Sequence, residues 1–376
     1  MKKILIVAGL DLSLINFRRE LIESWLEVGC NVVAAAPGRR VEKVLEGINV
    51  SYYELPLERT GLNPFKDIAL LLTLVKLLKK VQPDYLFLYT VKPVIYGSLA
   101  AYWRRSCRVF SMITGLGYAF SGVAEKSLLR KLIINLYRIA LKRNEKVFFQ
   151  NPDDSDTFEK FGIAKPEQIV RINGSGVNVD YFRPVPLPEG AVNYLLIARL
   201  LKEKGIVEYM EAARNVKRKY PQVRFAMIGW AFDDNPSAIG QKQVEEWRKE
   251  GMVEIFDETD DVRPFIAEAG VYVLPSYREG TPRTVLEAMA MGRPVITSDA
   301  PGCRETVVEG VNGFLVPVKN SVALAEAMER FILEPDLMHK MGAESRKIAE
   351  EKYDVHKVNE VINRAMGLLK TDRKLG

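Results

Sequence analysis

Val271-Tyr-Val-Leu-Pro-Ser276, continuing directly into Tyr277-Arg-Glu279-Gly-Thr-Pro-Arg-Thr-Val-Leu-Glu287, is the stretch whose reading decides the fold. The apolar run reads as a buried strand. Thr281 before Pro282 reads as a helix N-cap with proline at the first helical position. One carboxylate then lies before the helix, Glu279, and one inside it, Glu287. The residues from Pro282 to Glu287 rise about 7.5 Å at ~1.5 Å per residue, roughly the reach from the sugar to the ribose of a folded nucleotide sugar. Amides of the first helical turn face a diphosphate or sugar hydroxyls between them. Two hydroxyl acceptors around an anion cradle imply a nucleotide-sugar site, although a helix-start charge followed by a surface glutamate would look the same.

Outward from this unit, short apolar strands alternate with helical patterns along the whole chain, which implies parallel sheets built from right-handed crossovers. In the first half the strand candidates are Lys3–Ala8, Asn31–Ala36, Tyr85–Tyr89, Val109–Ile113 and Lys146–Gln150. After Asn173-Gly-Ser-Gly-Val-Asn and the proline-rich Tyr181-Phe-Arg-Pro-Val-Pro-Leu-Pro-Glu-Gly190 the alternation restarts. Its strands are Tyr194–Ala198, Arg224–Ile228, Val253–Phe256, Val271–Leu274 and Pro294–Ser298, with terminal helices from about Ser321. At 376 residues the chain exceeds what one core usually supports. Two α/β domains are expected, residues 1–185 and 186–355, with a C-terminal helix about 356–376 packing back on the first. Both are doubly wound and Rossmann-like, so ligands belong at the carboxyl ends of the sheets, in a cleft that the domains face.

Composition removes several classes. A 48% hydrophobic content argues against disorder. Cys30, Cys107 and Cys303 form no disulfide framework or metal pattern, which fits a reducing compartment. Met1-Lys-Lys before Ile-Leu-Ile-Val-Ala is too short for a signal-peptide core and reads as the first strand. The longest charge-free stretch, Val109 to Ala124, is broken by glycines and serines, so a spanning helix is not expected. Residues 1–185 carry 27 Lys and Arg against 18 Asp and Glu, a net +9, while the remainder carries 27 against 30, a net −3. Nucleic acid is one partner a basic half could take, but no zinc finger, helix-turn-helix or aromatic ribonucleoprotein signature is present. An anionic membrane surface or a diphosphate substrate is the more economical partner.

The remaining motifs narrow the chemistry. Gly115-Leu-Gly117 and Gly174-Ser-Gly176 lack the third glycine of a dinucleotide fingerprint, which disfavours hydride transfer. His339 and His356 both fall in the helical C-terminal region and read as structural or exposed. Asp153-Asp-Ser-Asp156 starts a helical pattern and reads as capping rather than as a metal cluster. Asp233-Asp234 beside Asn235-Pro236 reads as turn chemistry. Ile197-Ala-Arg199-Leu-Leu-Lys-Glu-Lys204-Gly205 leaves a strand with an arginine fork and a lysine point charge suited to a diphosphate, though such a pair on a loop is equally a pair of solvated charges. In the first half, Gly9 in the loop Ala8 to Arg18 permits close backbone approach to an anion. Arg18 either meets that anion or is solvated. A further loop, Ile113-Thr-Gly-Leu-Gly117, leaves a strand with small residues, and Glu58-Arg59-Thr-Gly-Leu-Asn63-Pro-Phe is a third such segment.

Arg199, Lys204 and the Glu279-to-Glu287 pair, in that order and about 80 residues apart, resemble the retaining glycosyltransferases of family 4, which have the GT-B fold, and the resemblance covers nearly the whole chain. Arg59-Thr-Gly-Leu-Asn63, Thr114-Gly-Leu-Gly117, Asp234-Asn-Pro-Ser237 and Leu274-Pro-Ser-Tyr-Arg-Glu-Gly280 are similar to stretches of bacterial transferases that extend polyprenyl-diphosphate-linked sugars. These include the N-acetylgalactosaminyltransferases of N-glycan and O-antigen assembly. The resemblance implies that Arg199 and Lys204 stabilise the leaving diphosphate and that Glu279 orients the sugar. It also implies that Gly280, Thr281 and Pro282 shape the sugar pocket, that Glu287 binds ribose hydroxyls, and that Gly229, Glu258 and Thr259 lie by the nucleotide. Gly9, Arg18, Arg59, Asn63, Thr114, Gly115 and Gly117 are the implied acceptor residues.

The implied donor is a UDP-sugar, UDP-N-acetylgalactosamine, and the acceptor a polyprenyl-diphosphate-linked glycan, with no cofactor and no metal expected. The enzyme would sit in the cytoplasm, peripherally on the inner face of the plasma membrane. There the segment Glu125 to Lys146, with seven basic and two acidic residues, reads as an interfacial helix with Leu128, Leu129, Leu132, Leu136 and Ile139 on one side. A core-packed helix with a solvated basic face is the other reading. Two departures stand out. Many family members carry a first-domain histidine that this chain lacks, and Asp257-Glu-Thr259 replaces a common glycine and following arginine. An epimerase or hydrolase, or a non-catalytic nucleotide-sugar binding protein, would share the architecture.

Overall fold

A computed structural model describes residues 1–58, 63–116, 128–229 and 237–369, with only the backbone at Leu128 and Leu129. Arg59, Gly117, Glu125 and Asp233-Asp234 lie outside the described residues. The chain forms two compact units, Met1–Ser175 with His356–Gly376, and Gly176–Val355.

The first unit runs β1 (Lys3–Val7), α1 (Leu12–Glu27), β2 (Asn31–Ala36), α2 (Glu42–Glu46), β3 (Ser51–Glu54), α3 (Pro64–Val81), β4 (Tyr85–Tyr89), α4 (Ser98–Ala100), β5 (Arg108–Ile113), α5 (Leu128–Leu141), β6 (Lys146–Phe149), α6 (Pro152–Lys160) and β7 (Ile169–Arg171). Among the described residues the strands form one parallel sheet in the order β3-β2-β1-β4-β5-β6-β7. Strand alternation feeds two cores. Leu5 and Val7 face the layer of α3 and α5, whereas Ile4 and Ile6 face the layer of α1. The last helix of the chain closes that second layer. Val358, Ile362 and Met366, spaced to lie on one helical side, are buried with Trp25, whose indole donates to Asn363 Oδ1 at 2.8 Å.

The second unit runs β8 (Asn193–Ile197), α7 (Ile206–Lys219), β9 (Arg224–Ile228), α8 (Gln241–Glu250), β10 (Glu254–Phe256), α9 (Arg263–Glu268), β11 (Val271–Leu274), α10 (Arg283–Ala290), β12 (Val295–Ser298), β13 (Gly313–Val316), α11 (Ser321–Leu333) and α12 (Asp336–Ile348). The chain then reaches α13 (Val355–Met366), the helix that packs on the first sheet. The second sheet is also parallel, in the order β10-β9-β8-β11-β12-β13. No helix among the described residues is long and apolar enough to cross a membrane.

Four expectations need correction. The division falls at Ser175 and Gly176, before the proline-rich connection rather than at 185–186, because that connection belongs to the second core. Val177, Val179 and Phe182 are buried there. Arg293, fully buried, donates to the carbonyls of Val185, Pro186, Ile266, Ala267 and Met291. Burial without a carboxylate partner lowers the Arg293 pKa to about 10. Second, β3, β7 and β13 were not among the expected strands; they are short and lie near or at sheet edges. Third, α10 begins one residue later than expected. Pro282, not Thr281, is the cap position, since its carbonyl takes the first helical bonds from Val285 and Leu286.

The fourth concerns α5, of whose expected apolar side only part turns outward. Leu132 and Ile139 are exposed, but Leu136 packs half-buried against the core, where Ile134, Tyr137 and Leu141 of the other side are buried. The helix is therefore core-packed and still presents apolar residues to solvent.

Candidate active site

Sheet order explains how motifs far apart in sequence meet. In the second sheet β8 leads outward to β9 on one side and β11 to β12 on the other, so the strand order reverses between β8 and β11. A crevice at the carboxyl ends of such neighbours is where doubly wound sheets take ligands. Arg199, Lys204 and Gly205 follow β8, and Pro275 to Pro282 follow β11.

The two loops are tied together by their backbones. Tyr277 N donates to Glu203 O at 2.8 Å, and Ser276 Oγ donates to the same carbonyl at 3.0 Å. Gly205 has φ +71°, and a Cβ there would fall 2.2 Å from the Pro275 carbonyl oxygen, so no side chain fits. A third loop, after β12, closes on Glu279: its amide donates to Pro301 O at 2.9 Å, and a Cβ on Gly302 would fall 2.2 Å from Glu279 O. The Gly302 approach was not anticipated; Pro301-Gly302 directly after a strand was the available signal.

This scaffold brings the Lys204 ammonium onto the Glu279 carboxylate, each side chain only 14% exposed. Two of the three expected catalytic residues are thus in direct contact. Arg199, partly buried, stands at the end of β8 on the same loop. Glu287 lies one turn into α10 and is 8% exposed. It accepts from Arg283 Nε at 2.9 Å. Burial raises its pKa above the ordinary carboxylate value, with Arg283 opposing the rise. The helix is anchored beneath by Thr284 Oγ1, which donates to Ile197 O at 3.3 Å, and the neighbouring Tyr272 hydroxyl donates to the same carbonyl at 3.1 Å. The amino end of α10 therefore opens between Glu279 and Glu287, with Gly280, Thr281 and Pro282 forming its approach.

Gly229 follows β9 and its amide donates to Phe256 O at 3.2 Å. Glu258 and Thr259 follow β10, where Glu258 is exposed and Thr259 Oγ1 is engaged with Asp261. Both lie three strands from β11 in the sheet order, β9 and β8 intervening.

In the first unit the corresponding reversal lies between β1 and β4. Gly9 follows β1 and sits against the Thr90 side chain, which follows β4. Thr90 has φ +70°, an unusual conformation for a β-branched residue. Arg18 is not at the surface. It is 2% exposed in α1, over the Tyr89 ring at 5.3 Å, with its guanidinium donating to Met112 Sδ at 2.8 Å. Thr114 and Gly115 follow β5. Asn63 caps α3, its Oδ1 accepting from the amides of Phe65 at 3.0 Å and Lys66 at 3.3 Å. Asp153 and Asp154 lie in the first turn of α6, capped by Asn151, and Asp156 pairs with Arg171. Among the described residues no group of three His, Cys, Asp or Glu side chains is arranged to hold a metal. His339 and His356 are exposed.

Comparison with known proteins bears on the fold and the family. A model of glycosyl transferase 4-like domains matches residues 3–151, and one of glycosyl transferases group 1 matches residues 179–348. The chain is 27% identical over 339 residues, 86% of its length and 88% of the relative's, to the N,N'-diacetylbacillosaminyl-diphospho-undecaprenol alpha-1,3-N-acetylgalactosaminyltransferase of Campylobacter jejuni. It is 25% identical over 297 residues, 75% of each chain, to the UDP-Gal:alpha-D-GlcNAc-diphosphoundecaprenol alpha-1,3-galactosyltransferase of Escherichia coli. The crystal structure of Anabaena Alr3699/HepE in complex with UDP superposes with a TM-score of 0.78 at 18% identity, covering 98% of this chain and 100% of that one. The fold is GT-B, and the chain belongs to the glycosyltransferases, a group 1 domain in its second unit following a 4-like domain in its first.

Proposed function

We propose that the chain is a retaining transferase that moves a hexosamine, N-acetylgalactosamine from its UDP derivative, onto a polyprenyl-diphosphate-linked sugar in glycan assembly. The observation that carries this reading is the meeting of Lys204 and Glu279 at the start of α10, with Glu287 further along the same helix. The names of the Campylobacter and Escherichia relatives, both acting on undecaprenyl-diphosphate sugars, support the acceptor class. The donor enters the second unit with its diphosphate beside Arg199 and Lys204, its sugar hydroxyls on Glu279, its ribose on Glu287 and its base by Glu258. The bond from the anomeric carbon to the phosphate oxygen breaks and a new bond to the acceptor oxygen forms on the same face. The acceptor proton passes to the departing phosphate oxygen, so no second carboxylate nucleophile is needed. Fixed cations beside the developing charge carry most of the acceleration, and no metal takes part.

The first unit takes the acceptor, through Gly9, Thr114 and Gly115, in the cytoplasm at the inner face of the plasma membrane. The test is a screen of nucleotide sugars that measures nucleotide release with and without the lipid-linked acceptor. Acceptor-dependent release from UDP-N-acetylgalactosamine is expected. Dependence on another UDP-sugar would reassign the donor within polysaccharide or O-antigen assembly. Release without acceptor would indicate a hydrolase or epimerase, and no release with any donor a binding protein.

A further inference from the structure

The outer surface of the first unit carries a pattern that a solvated helix layer does not need. α3, the turns from Pro93 to Trp103 and α5 all cover the same face of the first sheet, packing on one core, so their outer sides point the same way. On α3 the buried side is complete in itself, made by Leu70, Leu74, Leu77, Leu78 and Val81. The opposite side should then be polar. Instead Phe65 is 81% exposed, Ile68 55% and Leu72 56%, one continuous stripe at helical spacing. The stripe changes character along its length, since the next positions on that side are Lys76 and Lys79, both exposed. Beside it, Trp103 is 64% exposed, and Leu132 and Ile139 of α5 are exposed at 55% and 51% next to Lys131 and Lys142. The Tyr102 hydroxyl, donating to Ile139 O at 3.0 Å, joins the central turns to α5.

Charge on these segments is one-sided. Residues 64–81, 91–105 and 128–143 hold twelve lysines and arginines against one acid, Asp67, which is already paired with Lys92. Two copies of this chain meeting through such a surface would oppose like charges, and the apolar side chains stand among lysines rather than lining a groove. A bilayer interface with anionic headgroups fits both parts: apolar and aromatic side chains enter the acyl boundary while the lysines stay among the headgroups.

We propose that the first unit docks on an anionic bilayer through the combined outer face of α3 and α5, with Phe65, Ile68 and Leu72 as the inserting stripe. α5 alone is insufficient, because Ile134, Tyr137 and Leu141 are spent on the core. The partner rests on the reading of a lipid-linked acceptor, but the surface is measured without one.

The experiment is co-sedimentation of the full chain with vesicles of phosphatidylcholine alone and of an equal mixture of phosphatidylcholine and phosphatidylglycerol, at low and high salt. UDP binding and transfer to a water-soluble acceptor are followed in parallel. The chain should pellet with the mixed vesicles, weakly with the neutral ones, and be released by salt. The variant Phe65→Ser, Ile68→Ser, Leu72→Ser should bind the mixed vesicles at least about tenfold less while binding UDP as before. If that variant loses UDP binding, the charge variant Lys76→Gln, Lys79→Gln, Lys80→Gln replaces it and should lose the preference for anionic vesicles. Absence of pelleting, equal pelleting with both vesicle types, undiminished pelleting of the variants, or self-association through this face would each overturn the proposal. Loss of transfer by the wild type with vesicle binding intact would overturn the transferase reading alone.

Discussion

Glu279→Gln separates the two roles of that carboxylate. Without donor, Glu279 neutralises Lys204 while both side chains are 14% exposed. Glutamine keeps the shape and an acceptor oxygen but removes the counter-charge. A hydrogen bond to a charged group contributes about 1.5–3 kcal/mol, and residual exposure places this one towards the lower end, so the substitution costs ~2 kcal/mol. For a unit of this size that is roughly 4–8 °C in Tm. Saturating UDP brings a diphosphate to Lys204 in place of the carboxylate, so the gap from wild type should shrink when UDP is added. Transfer follows a different course: loss of a charged contact aimed at the reacting sugar and phosphate costs ~2.7–4 kcal/mol, a hundred- to thousandfold in turnover. Thermal denaturation with and without UDP, beside a radiolabelled-donor assay, measures both. Near-normal turnover, or a Tm gap that UDP leaves unchanged, would refute the reasoning.

Arg199→Ala should lower transfer by a similar ~2.7–4 kcal/mol with Tm nearly unaffected, read in the same two assays. Arg293→Met should cost about 3 kcal/mol or more in the thermal or denaturant unfolding of the second unit, because buried carbonyls of the proline-rich connection lose their donor. UDP affinity should fall with acidification as the pH drops through the raised pKa of Glu287. The sign follows from Glu287: burial raises its pKa in the free protein, ribose hydroxyls favour the carboxylate, and protonation therefore opposes binding. Titration calorimetry over a pH series should show a steeper slope in the wild type than in Glu287→Gln, where only the titration of the UDP phosphate is left. Transfer should persist in EDTA; loss with recovery on adding magnesium or manganese would show that a metal is required.

Much of the fold was legible because the strands that matter are buried on both faces. Tyr85–Tyr89 and Val271–Leu274 read as unbroken apolar runs and are strands with those bounds. Ser51–Glu54 carries no such run, since it is an edge strand with both ends exposed, and it was missed. Glu279 and Glu287 could be read as a pair because one strand-loop-helix unit holds both. Contact between Lys204 and Glu279 could not be read from sequence alone, because it depends on β11 lying beside β8 rather than beside β10. Arg293, between Gly292 and Pro294, looks like a loop charge until the carbonyls it gathers are seen. The outer stripe of α3 was hidden by its own helix, where leucines on the buried side and apolar residues on the other blur into one run.

The central claim is transfer from a UDP-sugar to a polyprenyl-diphosphate-linked glycan by the Arg199, Lys204 and Glu279 site. The most direct measurement is chase of label from UDP-N-acetylgalactosamine into an extended lipid-linked product, with the anomeric configuration of the new linkage determined by NMR. A labelled α-linked product is expected, its formation dependent on the acceptor and lost in Glu279→Gln. A product of inverted configuration, or nucleotide release with no labelled lipid product, would contradict it.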